Sequence, residues 1–382
     1  MKKATQRPSM AGASAAAKIA LEAAGHAPLT GAARRADGDF ILGGGAFVDL
    51  ADRKTQRFAF AAIDLPSRGA ALVATNFLPH GVAIHPKAPH IVTTFEKIGP
   101  GCAEIDLATG EARRFILPTK DRWFYGHGAY SSDGSLLYTT ETVNSTGQGM
   151  IGVRDAQTLQ YLGDFPTFGD NPHDCHLVED GTVLVITNGG SKVPGQGGQP
   201  GVTYVEVSSR KLLHRHDMVG DRFNTGHLCV RGKDGLVVVS APRSGAMDKD
   251  RGAVSMRVGD GPLATIADPL EITSRMIGEA LSVEIHEPTG NVAVTHPFGD
   301  MVTWWSIATR GFVKVMDRPR PRGVTLSRDG ARYILSFGPQ AELAQIDAST
   351  LEPSEEGAMK GTFLSGSHIF NWTRLTAALS AS

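Results

Sequence analysis

Four histidines recur at near-regular intervals, and they carry the chemistry that this chain can be expected to perform. They stand in Pro79-His80-Gly81, Gly126-His127-Gly128, Pro172-His173-Asp174 and Gly226-His227-Leu228. His127 follows His80 by 47 residues, His173 follows by 46 and His227 by 54. Imidazole is the commonest metal-ligating side chain and suits copper, zinc, nickel or iron. Protonated, the same rings would bind an anion. No local ligand spacing such as His-Glu-x-x-His is present. The four rings can therefore meet only if the fold itself repeats with their period.

The hydrophobic pattern supplies such a repeat. From Asp39 onward the apolar residues alternate with a period of two, as strands do. Six short runs anchor a strand-rich unit: Ile91–Thr94, Leu136–Thr140, Val183–Thr187, Leu236–Ser240, Asn291–Thr295 and Arg332–Ser336. A seventh begins at Phe40. Asp133-Gly134 between Trp123–Ser131 and Leu136–Thr140 is a hairpin signal, because its turn needs the positive φ open to glycine. Third and fourth strands are expected after Ala103, Ile151, Val205, Trp304 and Ala344, and an N-terminal copy at Phe47–Asp52. A unit of about 45 residues with four short strands is the mark of a β-propeller. The first unit lacks an inner strand, and Ser367–Trp372 is an inner strand with nothing after it. Ring closure by the C-terminal strand joins the two and removes free sheet edges. The expected architecture is all-β: a seven-bladed β-propeller over residues 39–376. Residues 1–38 are read as a weakly ordered or short helical tail and 377–382 as a C-terminal tail.

Innermost strands line the channel of a propeller, so equivalent positions of successive blades form a ring. His80, His127, His173 and His227 are the expected metal ligands. Arg322 and His368 occupy the same position in later blades and are expected to bind the ligand. Turns after the second strands fall on the same face and add Glu96, Glu141, Asn188 and His296. Glu141 and His127 are the candidate catalytic bases, and Glu141 is also placed to orient an imidazole. A competing reading makes each histidine structural, bonded within its own blade. His85, His90, His214, His216 and His286 are expected to face outward.

Composition narrows the partners. The chain has 382 residues, a net charge of -1 and 20% charged residues. It shows no basic footprint for nucleic acid or anionic lipid and no apolar run of about 18 residues that would span a membrane. Three cysteines argue against a disulfide framework. The Gly-rich segment 189–201 lacks the Gly-Lys-Ser/Thr of a phosphate loop and is expected to be a flexible loop or lid. The start Met1-Lys-Lys looks faintly like a signal peptide, but Lys18 and Glu22 interrupt the apolar run.

The stretches Phe124-Tyr-Gly-His-Gly-Ala-Tyr-Ser-Ser-Asp-Gly-Ser-Leu-Leu-Tyr-Thr-Thr-Glu141, Gly149-Met-Ile-Gly-Val-Arg-Asp155 and Asn171-Pro-His-Asp-Cys-His-Leu177 resemble an uncharacterised bacterial family of seven-bladed, YVTN/WD40-like propellers. Genes of that family often stand beside those of imelysin-like iron-uptake proteins. The resemblance covers about residues 40–372. It implies a periplasmic protein linked to metal acquisition, cytoplasmic if the N-terminus is no export signal, and it carries over no catalytic residues. The leading expectation is a binding protein whose funnel holds a transition metal (copper, iron or zinc) or a metal-bearing ligand. The alternatives are a metal-assisted, lactonase-like hydrolase or an oxidoreductase using the same funnel, and a scaffold for a protein partner without chemistry.

Overall fold

The computed structural model describes residues 10–29, 38–191, 197–232 and 235–381. Seven small antiparallel sheets follow one another around a ring. Blade 2 contains Pro79–Ile84, Ile91–Glu96, Cys102–Asp106 and Glu111–Phe115 from the channel outward. Blade 3 runs from Arg122–Tyr130 to Tyr161–Asp170, blade 4 from Pro172–Val178 to Lys211–Asp217 and blade 5 from Leu228–Arg231 to Ala264–Thr265. Blade 6 runs from Val283–His286 to Phe312–Asp317 and blade 7 from Val324–Leu326 to Pro353–Met359. Every expected second strand is a second strand here. Blade 1 closes the ring as anticipated: Ile369–Asn371 pairs antiparallel with Ile41–Gly43 inside Phe40–Val48. The extra strand Ala27–Pro28 joins that sheet's outer edge in parallel.

Packing between blades follows the alternation of side chains. Trp304 and Trp305 are adjacent, fully buried and on opposite faces of blade 6. Trp304 joins Tyr333 and Leu335 of blade 7, and Trp305 joins Val237 and Val254 of blade 5. Two expectations need correction. Phe47 and Val48 belong to the long second strand of blade 1, and the true third strand is Gln56–Asp64. His286 is buried, its Nδ1 2.8 Å from the Thr289 hydroxyl. In the N-terminal segment Met10–Ala23 forms a short helix, one of the two forms expected there, and its Ala16, Ala17 and Ala20 pack against Phe47 and Ala59. Small side chains let that helix approach the blade closely. Residues 377–381 continue a C-terminal helix, Trp372–Ala381. No described helix is long and apolar enough to cross a membrane.

One local device recurs where the blades meet the channel. In five of the seven blades a hydroxyl late in the second strand bonds the inner-strand backbone 13 residues earlier. Thr140 Oγ1 accepts from His127 N–H at 3.2 Å, Thr187 from Asp174 at 2.9 Å, Thr295 from Ser282 at 3.0 Å and Ser336 from Gly323 at 2.9 Å. Thr94 donates to Gly81 O at 2.9 Å. Two of these hydroxyls also donate to the next blade, Thr187 to Gly226 O at 2.6 Å and Thr295 to Arg322 O at 2.7 Å, while Thr140 shares its proton between His127 O at 2.9 Å and His173 O of the next blade at 3.3 Å. Blades 1 and 5 lack it: Phe40–Val48 carries no hydroxyl, and Ser240 Oγ is buried without a partner.

Removing such a hydroxyl strands a buried N–H, which costs about 1–3 kcal/mol. Thr140→Val is therefore expected to destabilise the fold by about that amount. Urea denaturation of the purified variant beside the wild type measures it, and an unchanged midpoint would show the stitch to be dispensable.

Candidate metal centre

The inner strands are irregular at their histidines. In blades 2, 3 and 4 the pairing register shifts within Pro79–Val82, opposite Thr139–Glu141 and within Pro172–Cys175. These breaks span His80, His127 and His173. A bulge turns a side chain away from the regular alternation, and here it aims each ring at the channel axis. His227 and His368 lie just ahead of the inner strands Leu228–Arg231 and Ile369–Asn371 and point to the same place.

Five imidazoles meet there, each only 3–7% exposed. His80 Nε2 is 3.2 Å from His173 Nε2 and 3.2 Å from His227 Nε2, and His173 Nε2 is 2.8 Å from His227 Nε2. His368 Nε2 is 2.8 Å from His227 Nε2. The ring centroids of His80 and His127 are 5.0 Å apart. One ligating nitrogen from each of His80, His127, His173 and His227 falls within 4.8 Å of all the others. Glycine makes the crowding feasible. A Cβ on Gly126, whose φ is +116°, would come within 2.8 Å of the His173 ring, and one on Gly81 within 2.7 Å of His127 Nδ1.

Groups behind the rings set their tautomers. His173 Nδ1 is 2.8 Å from Tyr125 O, and a carbonyl only accepts, so Nδ1 carries the proton and Nε2 presents a lone pair. Asp174 Oδ1 stands 3.3 Å from His127 Nδ1 and 3.4 Å from His176 Nε2, while Oδ2 accepts the backbone N–H of Leu228 at 3.1 Å. The carboxylate favours the proton on His127 Nδ1. His127 Nε2 is left buried with no hydrogen-bond partner. A carboxylate or carbonyl behind an imidazole is the usual outer support of a metal ligand. Burial, and then neighbouring imidazoles and Lys97, hold His80 and His173 well below the ordinary imidazole range; burial and surrounding histidines do the same for His227 and His368. Burial also lowers His127, against the pull of Asp174. Asp174 is held low by His127 and His176, which outweigh its own burial.

These rings are therefore neutral, and neutral rings cannot satisfy one another. Each Nε2 is either a donor or an acceptor. Three nitrogens in mutual contact cannot form three donor–acceptor pairs, so at least one contact joins two like groups. A cation at the centre removes the conflict, because all the lone pairs then point at it. Two nitrogens held about 2.0–2.1 Å from one ion stand about 2.9 Å apart at a right angle and about 3.4 Å apart at the tetrahedral angle. The observed separations of 2.8–3.2 Å sit close to that range.

The cluster lies between two cavities. One, of about 420 Å³, opens on the loop face and reaches His173 and His227 beside Lys97, Tyr125, Arg243 and Glu279. Ser191 and Gly189, from the expected loop or lid, line it as well, while residues 192–196 lie outside the described residues. The other, of about 580 Å³, reaches His127, His227 and His368 and is bordered by Asp174, Glu284 and the helix residue Arg374.

Other expected site residues are placed elsewhere. Glu141 is buried inside blade 3, its Oε1 2.7 Å from Arg154 Nη1 and accepting from the Thr139 hydroxyl at 2.8 Å. It orients no imidazole, and that position belongs to Asp174. Asn188 accepts from Thr167 and donates to Thr203, both within the blade sheets. His296 bonds Thr303 at 2.9 Å, and burial lowers its pKa to about 3. Glu96 accepts from Gly101 N–H at 2.8 Å and so closes its own turn. Arg322 donates Nε–H to Gly366 O at 3.2 Å beside the ring. The reason is alternation: Glu141, Asn188 and His296 each follow a stitching hydroxyl directly and so face the other side of the sheet. Asp174 and Lys97 were passed over in the sequence. The Asp174 directly after His173 and the position of Lys97 next to Glu96 were the available signals.

Depressed imidazoles make stability pH-dependent. Below about 6.5 the unfolded chain binds protons that the folded cluster refuses, so stability present above that pH is lost as pH falls. Each such ring contributes a slope of up to about 1.4 kcal/mol per pH unit. The denaturation midpoint of metal-free protein is expected to drop steeply between about pH 7 and 5. Replacing His80 and His368 by Gln should flatten that drop in a pH series of thermal melts.

Comparison with known proteins places the chain more broadly. No curated protein sequence matches it significantly. Among solved structures, hydrazine synthase of Kuenenia stuttgartiensis is similar over 78% of this chain and 93% of its own, with a TM-score of 0.59 and 13% identity. Dihydro-heme d1 dehydrogenase NirN, in complex with DHE, is similar over 91% of this chain and 77% of its own, with a TM-score of 0.55 and 10% identity. At such identities the likeness is one of fold. Residues 76–363 match the model of the family described as protein of unknown function (DUF1513), and since that is most of the sequence, the chain belongs to this family.

Proposed function

We propose that the protein binds a transition-metal ion in the channel, with His80, His127, His173 and His227 as ligands and His368 close enough to complete the set. The observation that carries the reading is the triangle of Nε2 atoms of His80, His173 and His227, whose contacts cannot all be hydrogen bonds. Their lowered proton affinity favours a metal over the protonated, anion-binding alternative. An all-imidazole set suits copper, zinc, iron or nickel and not magnesium or calcium. Asp174 holds the site together, since it touches the His127 ring and the backbone next to His227.

The role is binding, in bacterial metal acquisition and outside the cytoplasm. The resemblance to propellers encoded beside imelysin-like proteins supports that setting. Both structural neighbours are named as enzymes, one of them a dihydro-heme d1 dehydrogenase. Turnover with Glu141 as base lacks geometric support, because that carboxylate is engaged by Arg154 inside its blade.

Elemental analysis after metal reconstitution and dialysis tests the reading. One equivalent of metal is expected in the wild type and none in a still-folded His127→Ala/His173→Ala variant. Wild-type protein that retains no metal would overturn it. Asp174→Asn should keep the fold and lower metal affinity by about 10–100-fold in competition with a chelator. Bound metal should also raise the melting temperature in a concentration-dependent way.

A further inference from the structure

We propose that the loop-face cavity receives a small monoanion that binds the metal directly, with Lys97 as its counter-charge and Glu279 as the group that holds Lys97 when the anion is absent. This rests on the metal reading. Four neutral imidazoles bring no charge to a divalent ion. The nearest carboxylate, Asp174, contributes one negative charge from behind His127. A buried dication so incompletely neutralised is costly in a low-dielectric site, and the ion's own charge dominates the local electrostatics. An external anion supplies the missing charge.

The two cavities differ in what they could admit. The loop-face cavity carries two cations, Lys97 and Arg243, against one carboxylate, Glu279. The opposite cavity carries Asp174, Glu284 and Glu287 against Arg328 and Arg374. An anion is therefore favoured on the loop face, where the rings of His173 and His227 form the floor.

Lys97 is the telling residue. It lies on the turn between Ile91–Glu96 and Cys102–Asp106 of blade 2. Its Nζ reaches Glu279 at 3.2 Å, on the segment leading into blade 6, across the ring. The pair thus spans the mouth of the cavity. Lys97 lines the same cavity as the rings of His173 and His227. An ammonium beside those rings opposes a bare metal ion. Its placement makes sense with an anion between the two positive charges. The Lys97 side chain is 44% exposed and Glu279 only 16%, so the lysine is the mobile partner that can turn from the carboxylate to the ligand.

Azide titration into the copper(II)-loaded protein tests this, read from the charge-transfer absorption of the complex, with copper content measured first. Wild-type protein should bind azide. Lys97→Met should weaken azide at least tenfold while copper stoichiometry holds and copper affinity without azide stays the same or rises. Glu279→Gln, which frees the lysine, should tighten azide. Copper-loaded wild type that takes no azide, or equal azide affinity in wild type and Lys97→Met, would overturn the anion site and leave the metal site standing. A wild type that holds no copper would overturn both. Circular dichroism of the variants shows that they remain folded, and copper stoichiometry provides a second check.

Discussion

The alignment of the inner strands at His127 and His173 depends on the hydroxyl stitch between neighbouring blades. A propeller blade buries its faces against the next blade, but apolar contact alone does not fix how far each inner strand slides along the axis. The stitch does. Thr140 and Thr187 each accept an N–H from their own inner strand and donate to a carbonyl at the ring position of the following blade. Such bonds are worth little individually, about 0.5–1.5 kcal/mol net. Their effect is positional. They hold the backbone of His127, Asp174, His173 and Gly226 in one layer, so rings from separate blades arrive at one height.

That layer concentrates an unfavourable arrangement. Five imidazoles are taken from water, and each resists protonation for that reason. Their nitrogens face one another without enough complementary donors and acceptors. The rest of the propeller, with its buried second strands and the Trp304–Trp305 wedge between blades, supplies the stability that tolerates this. Sites of metal binding commonly have this character: the ligand set is strained or frustrated until the ion is present, and the scaffold holds it in place. Asp174 and the carbonyl of Tyr125 complete the design by fixing which nitrogen carries the proton.

Periodicity made much of this legible. The histidine steps of 47, 46 and 54 residues track the blade length, so a ring followed from the repeat once the repeat was seen. His368 followed from closure, because Ile369–Asn371 had to be the missing inner strand of blade 1. Glu141, Asn188 and His296 have their backbones near the ring face, but the hydroxyl before each already points inward, so the next side chain points away. Asn188 and His296 then found partners in Thr203 and Thr303 of the adjoining strands. The hydroxyls themselves stand in the sequence late in five of the second strands, 13 residues after the bonded group, yet a threonine in a strand also has an ordinary explanation in β propensity.

By itself the sequence determined the class of fold, the number of blades, the closing strand and the four histidines that share a ring position. Those depend on alternation and period, which are properties of order along the chain. Only the tertiary structure decided which nitrogens touch, which carboxylate stands behind them and which cavity meets the cluster. Asp174 supports a ring 47 residues before it, and Lys97 reaches a glutamate 182 residues away. Contacts of that kind arise from the bulges, stitches and crossing of the ring, and no local pattern records them.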